Sequence, residues 1–337
     1  MALSVLITGN FTEEHMARLH HAVPGLEVLQ VRTRSLAEVP AAWREKAEVL
    51  YTFAALPRSR QEMPRLRWIQ LHSAGADHLS EWLKNQTDIV ITTASGIHAV
   101  PMAEYTLMMM LALIRRLPRM LHYQRRQEWP SDRWRLFSDG ELRGSTLGIV
   151  GYGSVGREIG RLAKAFGMRL LAMRRHGGRR EDPGYVEPGT GDPQGTLPDA
   201  WYTPDQLLEM LPQCDFVVNV LPLTPETREV FDARAFAAMK PTAYFINIGR
   251  GGTVDEAALV RALEQGDIAG AALDVFEKEP LPSDSPLWRM ENVIISPHIS
   301  AFSTRYDDRA MTLFITNLQR YLKGEPLFNV YNPKLKY

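Results

Sequence analysis

Residues 146–156 read TLGIVGYGSVG, an apolar run that ends on three glycines spaced G-x-G-x-x-G at 151, 153 and 156. The next residues, EIGRLAKAFG (158–167), have helical spacing and a glycine stop at Gly167. Strand, tight turn and helix in that order make a dinucleotide-binding unit. Gly151 permits the turn, Gly153 lets backbone amides approach a pyrophosphate, and Gly156 lets the helix pack on the strand. Ser154 and Val155 open the helix, whose N-terminus offers free N–H groups and partial positive charge to phosphates. A glycine-rich turn without a ligand is the competing reading, and the flanking strand and helix weigh against it.

The next strand reads LLAMRRHGGRR (170–180). An NAD-binding unit carries an acidic residue about twenty positions after the last glycine. Here Arg174 stands eighteen positions after Gly156, and Arg175 follows. A carboxylate there accepts bonds from the adenosine ribose and repels an added phosphate, whereas arginine donates charge-assisted bonds to a 2′-phosphate. The expectation is NADP(H) in preference to NAD(H). Arg179 and Arg180 lie too far along, and a solvated basic turn is the alternative.

Outward from this unit, apolar runs alternate with helical ones. SVLITG (4–9), LEVLQV, AEVLYTF, RLRWIQLHSAG and DIVITTAS form a first series; TLGIV, MRLLAM, CDFVVNVLP, AYFINIG, IAGAALDVF and NVIISPH form a second. The alternation predicts an α/β fold of two Rossmann-like doubly wound parallel-sheet domains. TEEHMARLHHAV and DRAMTLFITNLQRYLKGEPL read as amphipathic helices, the second ended by Gly324. Residues 177–200 are rich in Gly and Pro and read as a surface loop. Residues 125–142 read as irregular, with two tryptophans that need burial.

The 337 residues suffice for two full cores, and a formal net charge of zero gives no reason to expect nucleic acid or an anionic membrane surface as partner. Cys214 is the one cysteine, so no intrachain disulfide forms, and LPQCDFVV places it as a buried small hydrophobe. The N-terminus has no basic lead-in and reads as a strand, not a signal peptide. PMAEYTLMMMLALIRR (101–116) is too short, and too interrupted by Glu104, to span a bilayer. Together these set the expectation of a cytoplasmic protein, with no metal site.

Three later pieces follow or interrupt apolar strands: INIGRGG (246–252), LDVFEKEPLP (273–282) and SPHIS (296–300). Each carries a charged or titratable residue: Arg250, Glu279, His298. Arginine offers a planar fork to a carboxylate. Histidine exchanges a proton near neutral pH, and a neighbouring carboxylate orients its ring. Singly, each has an ordinary reading as a surface ion pair, a solvated acid or a structural histidine. Jointly they make an anion-binding, proton-donating site beside a dinucleotide.

The ordered set GYGSVG, NIGRGG, LDVFEKEP and SPHIS, with HSAGADHL (72–79) and SGIHAVPMAEYTL (95–107), resembles the D-isomer-specific 2-hydroxyacid dehydrogenase family, in its glyoxylate/hydroxypyruvate reductase-like members, over essentially the whole chain. The resemblance implies a discontinuous substrate domain, 1–98 plus 300–337, and a dinucleotide domain, 99–299, with the active-site cleft between them. It also implies a homodimer, with residues 117–143 as the dimerisation arm. His298 would be the general acid that protonates the carbonyl oxygen of a 2-keto acid, with Glu279 paired to it. Arg250 would bind the substrate carboxylate, joined by the backbone amides of Ala74 and Gly75. Asp274 would sit near the nicotinamide carboxamide. Pro222, Thr227 and Ile248 would line the cofactor path, with Arg250 and His298 reaching its reactive end. His98 departs from the asparagine of many relatives, as either a substrate contact or a hinge.

Two other classes compete. One is a dinucleotide-sensing, co-repressor-like binding protein, against which the complete Arg/Glu/His set argues. The other is a different dehydrogenase of the superfamily: formate, phosphite or short-form phosphoglycerate. Glu279 disfavours formate. A long phosphoglycerate dehydrogenase needs a further C-terminal domain, and the chain ending at Tyr337 sets the expectation against it. TFAALP (52–57), the HSAGAD loop and Trp134 from a partner subunit are the candidates for shaping the substrate pocket; Trp134 reads equally as an interface anchor.

Overall fold

Twelve strands form two wholly parallel sheets among the residues that the computed structural model describes: 2–76, 78–137, 140–175 and 180–333. The chain divides into two units. One comprises residues 1–98, 183–185 and 303–337; the other comprises 99–182 and 186–302.

In the first unit, β1 (Ser4–Ile7), β2 (Glu27–Gln30), β3 (Val49–Thr52), β4 (Trp68–Leu71) and β5 (Val90–Thr92) take the order β2-β1-β3-β4-β5. β1, β3 and β4 are buried throughout, as continuous apolar runs must be when helices cover both faces of a parallel sheet. One face packs on the helix Tyr306–Lys323 through Met311, Phe314 and Leu318. The other packs on Leu36, Met63, Leu66 and Leu83. The first helix, Glu13–Ala22, starts at Thr12 in a capping box closed by His15, and the last stops at Gly324 with φ 70°.

The second unit contains β6 (Thr146–Val150), β7 (Arg169–Met173), β8 (Ala200–Tyr202), β9 (Phe216–Asn219), β10 (Tyr244–Asn247), β11 (Gly270–Leu273) and β12 (Val293–Ile295). Their order is β12-β11-β10-β9-β6-β7-β8, so the sheet reverses direction of growth between β6 and β9. Ligands bind at the carboxyl ends of strands at such a switch point. β8 is an addition to the six strands expected here. Its three residues, AWY, are only partly buried, too short and mixed to show a period. The apolar helix Ala99–Ile114 buries Ala103, Leu107 and Met110 against this unit's core.

The segment expected as a surface loop is, in its described part, fastened down. Arg157 is 1% exposed. Its Nη2 donates to the Arg180 carbonyl at 2.6 Å, its Nη1 donates to the Asp192 carbonyl, and its Nε stands 3.5 Å from Asp182 Oδ2. Asp192, also buried, accepts from the Tyr152 hydroxyl at 3.0 Å and from the Thr196 and Leu197 amides. A buried charge is tolerated only with such partners. Removing the guanidinium takes a partner from each of two carbonyls and a charge from beside Asp182, so Arg157→Met should lower stability by about 3–5 kcal/mol in urea unfolding. A loss under about 1 kcal/mol would show that the network is not what holds this segment.

The stretch 125–142, expected as irregular with buried tryptophans, contains in its described part the end of the helix Leu117–Arg126 and the short helix Arg133–Leu136, and Trp129 and Trp134 are 84% and 75% exposed. The Arg133 guanidinium lies 5.5 Å from the Trp134 ring centroid. Cys214 is buried, and burial pushes its thiol up to about 12. No described helix is long and apolar enough to cross a membrane, and no described cluster of His, Cys, Asp and Glu could hold a metal ion.

Candidate active site

Strand register assembles the candidate residues in the second unit. Met173 pairs with Val150, Val150 with Asn219, Asn219 with Asn247, Asn247 with Leu273, and Leu273 with Ile295. The residues that follow, Arg174, Gly151, Val220, Ile248, Asp274 and Ser296, therefore leave the sheet side by side at its carboxyl edge. Motifs up to about 150 residues apart in sequence thus meet on one rim.

The glycine turn begins at Gly151, with φ 106°, where its amide and that of Tyr152 both donate to the Met173 carbonyl. A Cβ on Gly156 would lie 2.6 Å from the Gly151 carbonyl oxygen, so the fold itself demands glycine at 156. Gly153 is different: a Cβ there meets nothing within 4 Å. Nothing among the described residues requires its smallness, which is what a pyrophosphate approaching the backbone would require. Gly153 is also the N-cap of the helix Ser154–Ala165, which has no side-chain cap. Its first N–H groups, on Ser154 and Val155, are open to an anionic ligand. The residues present fit a dinucleotide.

Arg174 continues β7, its amide donating to Tyr202 O at 3.0 Å and its Nη1 to Glu181 O at 3.2 Å. Arg175 is more exposed and stands 3.9 Å from Glu226 Oε2. Neither position carries the acid of an NAD site. Arg180 is exposed, its guanidinium 6.0 Å from the Trp201 ring; Arg179 lies outside the described residues. Pro222 is exposed and its carbonyl accepts from Thr227 Oγ1 at 2.6 Å. Ile248 is 2% exposed and belongs to the core.

The catalytic candidates occupy the loops after β10, β11 and β12. His298 Nδ1 lies 2.8 Å from Glu279 Oε2, and Glu279 Oε1 accepts from the Phe276 amide at 3.1 Å. A carboxylate only accepts, so Nδ1 carries the proton toward Glu279 and Nε2 is the nitrogen turned elsewhere. The ring is about half exposed, as a group that meets a ligand must be. His298 has φ 55°, a left-handed conformation that costs a non-glycine residue about 1–3 kcal/mol. Asp274 offsets that cost. It is 0% exposed; its carbonyl accepts from the His298 amide, and its carboxylate accepts from Ser296 Oγ and the amides of Ile299 and Ser300. Asp274 thus clamps the turn that presents His298. Arg250 is partly exposed, with its Nη1 donating to Gly249 O at 2.9 Å.

Sequence reasoning missed a buried pair beneath these loops. Asn219 Nδ2 donates to Asn247 Oδ1 at 3.0 Å and Thr253 Oγ1 at 2.7 Å. Asn219 Oδ1 accepts from the Leu221 amide, and Asn247 Oδ1 from the Gly249 amide. The pair ties the chain before Pro222 to the chain before Arg250. Its signal was available: FVVN and YFIN each end a fully apolar strand on asparagine.

In the first unit, Ala74 and Gly75 follow β4 and are partly exposed. The loop start is anchored by the Tyr306 hydroxyl, which donates to His72 O at 2.6 Å, and by Tyr51, whose hydroxyl lies 2.5 Å from His72 Nδ1. Burial pushes the His72 imidazole down, with Asp307 opposing. His98, whose role was open between substrate contact and hinge, lies 2.9 Å through Nε2 from the same Tyr306 hydroxyl.

A family model described as D-isomer specific 2-hydroxyacid dehydrogenase, NAD binding domain, matches residues 107–300. A D-3-phosphoglycerate dehydrogenase of Methanocaldococcus jannaschii is 34% identical over 81% of the chain; the match spans about half of that relative, 48% of its length. A glyoxylate/hydroxypyruvate reductase B of Salmonella typhi is 32% identical over 99% of each chain. A D-isomer specific 2-hydroxyacid dehydrogenase from Xanthobacter autotrophicus Py2, solved in complex with NADPH and MES, superposes with a TM-score of 0.79 at 28% identity, covering 100% of both chains. With the glycine turn, Arg250, Glu279 and His298 borne by one parallel sheet edge, these matches place the chain in the D-isomer-specific 2-hydroxyacid dehydrogenase family.

Proposed function

We propose that this protein reduces a 2-keto acid to the D-2-hydroxy acid, with NADPH preferred over NADH. The observation that carries the reading is the His298–Glu279 pair on the rim that also bears the glycine turn and Arg250. The dinucleotide supplies a hydride to the substrate's carbonyl carbon when bound. The turn 151–156 holds its pyrophosphate, and Arg174 and Arg175 its 2′-phosphate. Arg250 and the Ala74 and Gly75 amides bind the substrate carboxylate, and Arg250 draws charge toward the keto oxygen. His298 donates its Nε2 proton to that oxygen, and Glu279 holds the ring through Nδ1 and balances the imidazolium. The carbonyl gains one hydride and one proton, and His298 is reprotonated from solvent.

The exposed Trp129 and Trp134, with Leu117, Met120 and Leu121 at 38–41% exposure, support residues 117–143 as the arm of a homodimer.

The test is NADPH oxidation at 340 nm with glyoxylate, hydroxypyruvate, pyruvate and phenylpyruvate, set against aldehydes and ketones without a carboxylate. Turnover confined to the 2-keto acids supports the reading. No oxidation with any of them, while NADPH still binds, favours a binding protein instead. Arg250→Lys keeps the charge but loses the fork, so KM for the keto acid should rise about tenfold or more. A change in cofactor affinity alone would show that Arg250 does not meet the carboxylate.

A further inference from the structure

The first unit has a cleft of its own. It measures about 560 Å³ and is lined by Asn10, Arg32, Arg34, Tyr51, Phe53 and His72, among others, a size suited to small ligands. Register explains its place. Ile7 pairs with Gln30 and Tyr51, and Tyr51 with Gln70. The loops after β2, β1, β3 and β4 therefore open along one carboxyl edge, at the point where the order β2-β1-β3-β4-β5 reverses between β1 and β3.

The charges in it are unevenly committed. Glu38 accepts from Thr33 Oγ1 at 2.6 Å, and Asp307 stands 3.6 Å from His72 Nε2. Arg32 and Arg34 follow β2 two residues apart, and both line the cleft. Both are exposed, and neither forms an ion pair among the described residues. Two guanidinium forks facing one cleft suit an anion with planar oxygens.

The cleft also reaches the loop assigned to the substrate carboxylate. His72, one of its walls, begins the stretch His72–Gly75. From the end of β4 to the end of β2 is three strand spacings, roughly 14 Å. Arginine side chains cover much of that, and a chain of a few carbons covers the rest. We propose that the side chain of the preferred substrate runs from the Ala74–Gly75 loop into this cleft and ends in a second carboxylate, held by Arg32 and Arg34. The proposal rests on the 2-keto acid reading and names the substrate class within it: dicarboxylic 2-keto acids.

The experiment compares kcat/KM for 2-ketoglutarate, for 2-ketohexanoate with a neutral chain of similar length, and for glyoxylate with no side chain. Wild type should favour 2-ketoglutarate over 2-ketohexanoate by about tenfold or more, the effect of one charge-assisted contact. The double variant R32Q/R34Q should lose that preference and keep glyoxylate reduction within about twofold, which also shows that it is folded. Equal use of the two long acids by wild type overturns the proposal, as does an unchanged preference or a parallel loss on glyoxylate in the variant. Failure of wild type to reduce glyoxylate or any other 2-keto acid overturns the functional reading as well, so the two failures are distinguishable.

Discussion

His298→Asn is expected to turn over 2-keto acids about a hundred- to ten-thousand-fold more slowly than wild type, with NADPH affinity unchanged. The magnitude is that of one positioned general acid. Glu279 fixes Nδ1 at 2.8 Å, and Asp274 fixes the backbone of the turn, so Nε2 is the one ring position left to deliver a proton. Asparagine can keep a contact to Glu279 through its amide, but it has no proton to give at neutral pH. Relief of the φ 55° backbone should leave the variant at least as stable as wild type, since asparagine tolerates that region better than most residues. The split between kcat and NADPH binding, measured by quenching of intrinsic fluorescence, separates proton donation from a structural role. Near-normal turnover would remove His298 from the mechanism.

Arg174→Asp should move the ratio of kcat/KM for NADPH over NADH by about a hundredfold or more toward NADH. One part is the loss of a charge-assisted bond to the 2′-phosphate, about 1.5–3 kcal/mol, or tenfold and upward. The other is the gain of an acceptor for the ribose hydroxyl and of repulsion against the phosphate. The surroundings tolerate the change. Burial pushes the Arg157 guanidinium down, Asp182 opposes that, and Arg174 adds to it, so an aspartate at 174 relieves a like-charge contact. Arg175 remains and limits the switch. An unchanged ratio would refute the assignment of Arg174 to the 2′-phosphate.

Both predictions use residues legible in the sequence, because apolar strands running into glycine, arginine, glutamate or histidine locate the carboxyl edge of a parallel sheet. What was not legible belongs to long-range packing. β8 is three residues long, and its pairing with β7 follows from the tertiary fold, not from its own pattern. The fastening of residues 180–200 depends on Arg157, whose position on the glycine-rich helix gave no sign that it is buried. The exposure of Trp129 and Trp134 inverts the usual expectation for tryptophan, which composition alone does not reveal. The Arg32–Arg34 cleft was hidden for a related reason: loops after four strands form it, and the stretch with Arg32 and Arg34 carries no motif.

The central claim is that one hydride and one proton reach a 2-keto acid on a fixed face. It is tested most directly by incubating the wild-type protein with NADPH and hydroxypyruvate, then resolving the product by chiral chromatography against the 340 nm record. The account predicts one D-2-hydroxy acid per NADPH consumed. NADPH consumption with an L or racemic product, or no consumption at all, would contradict it.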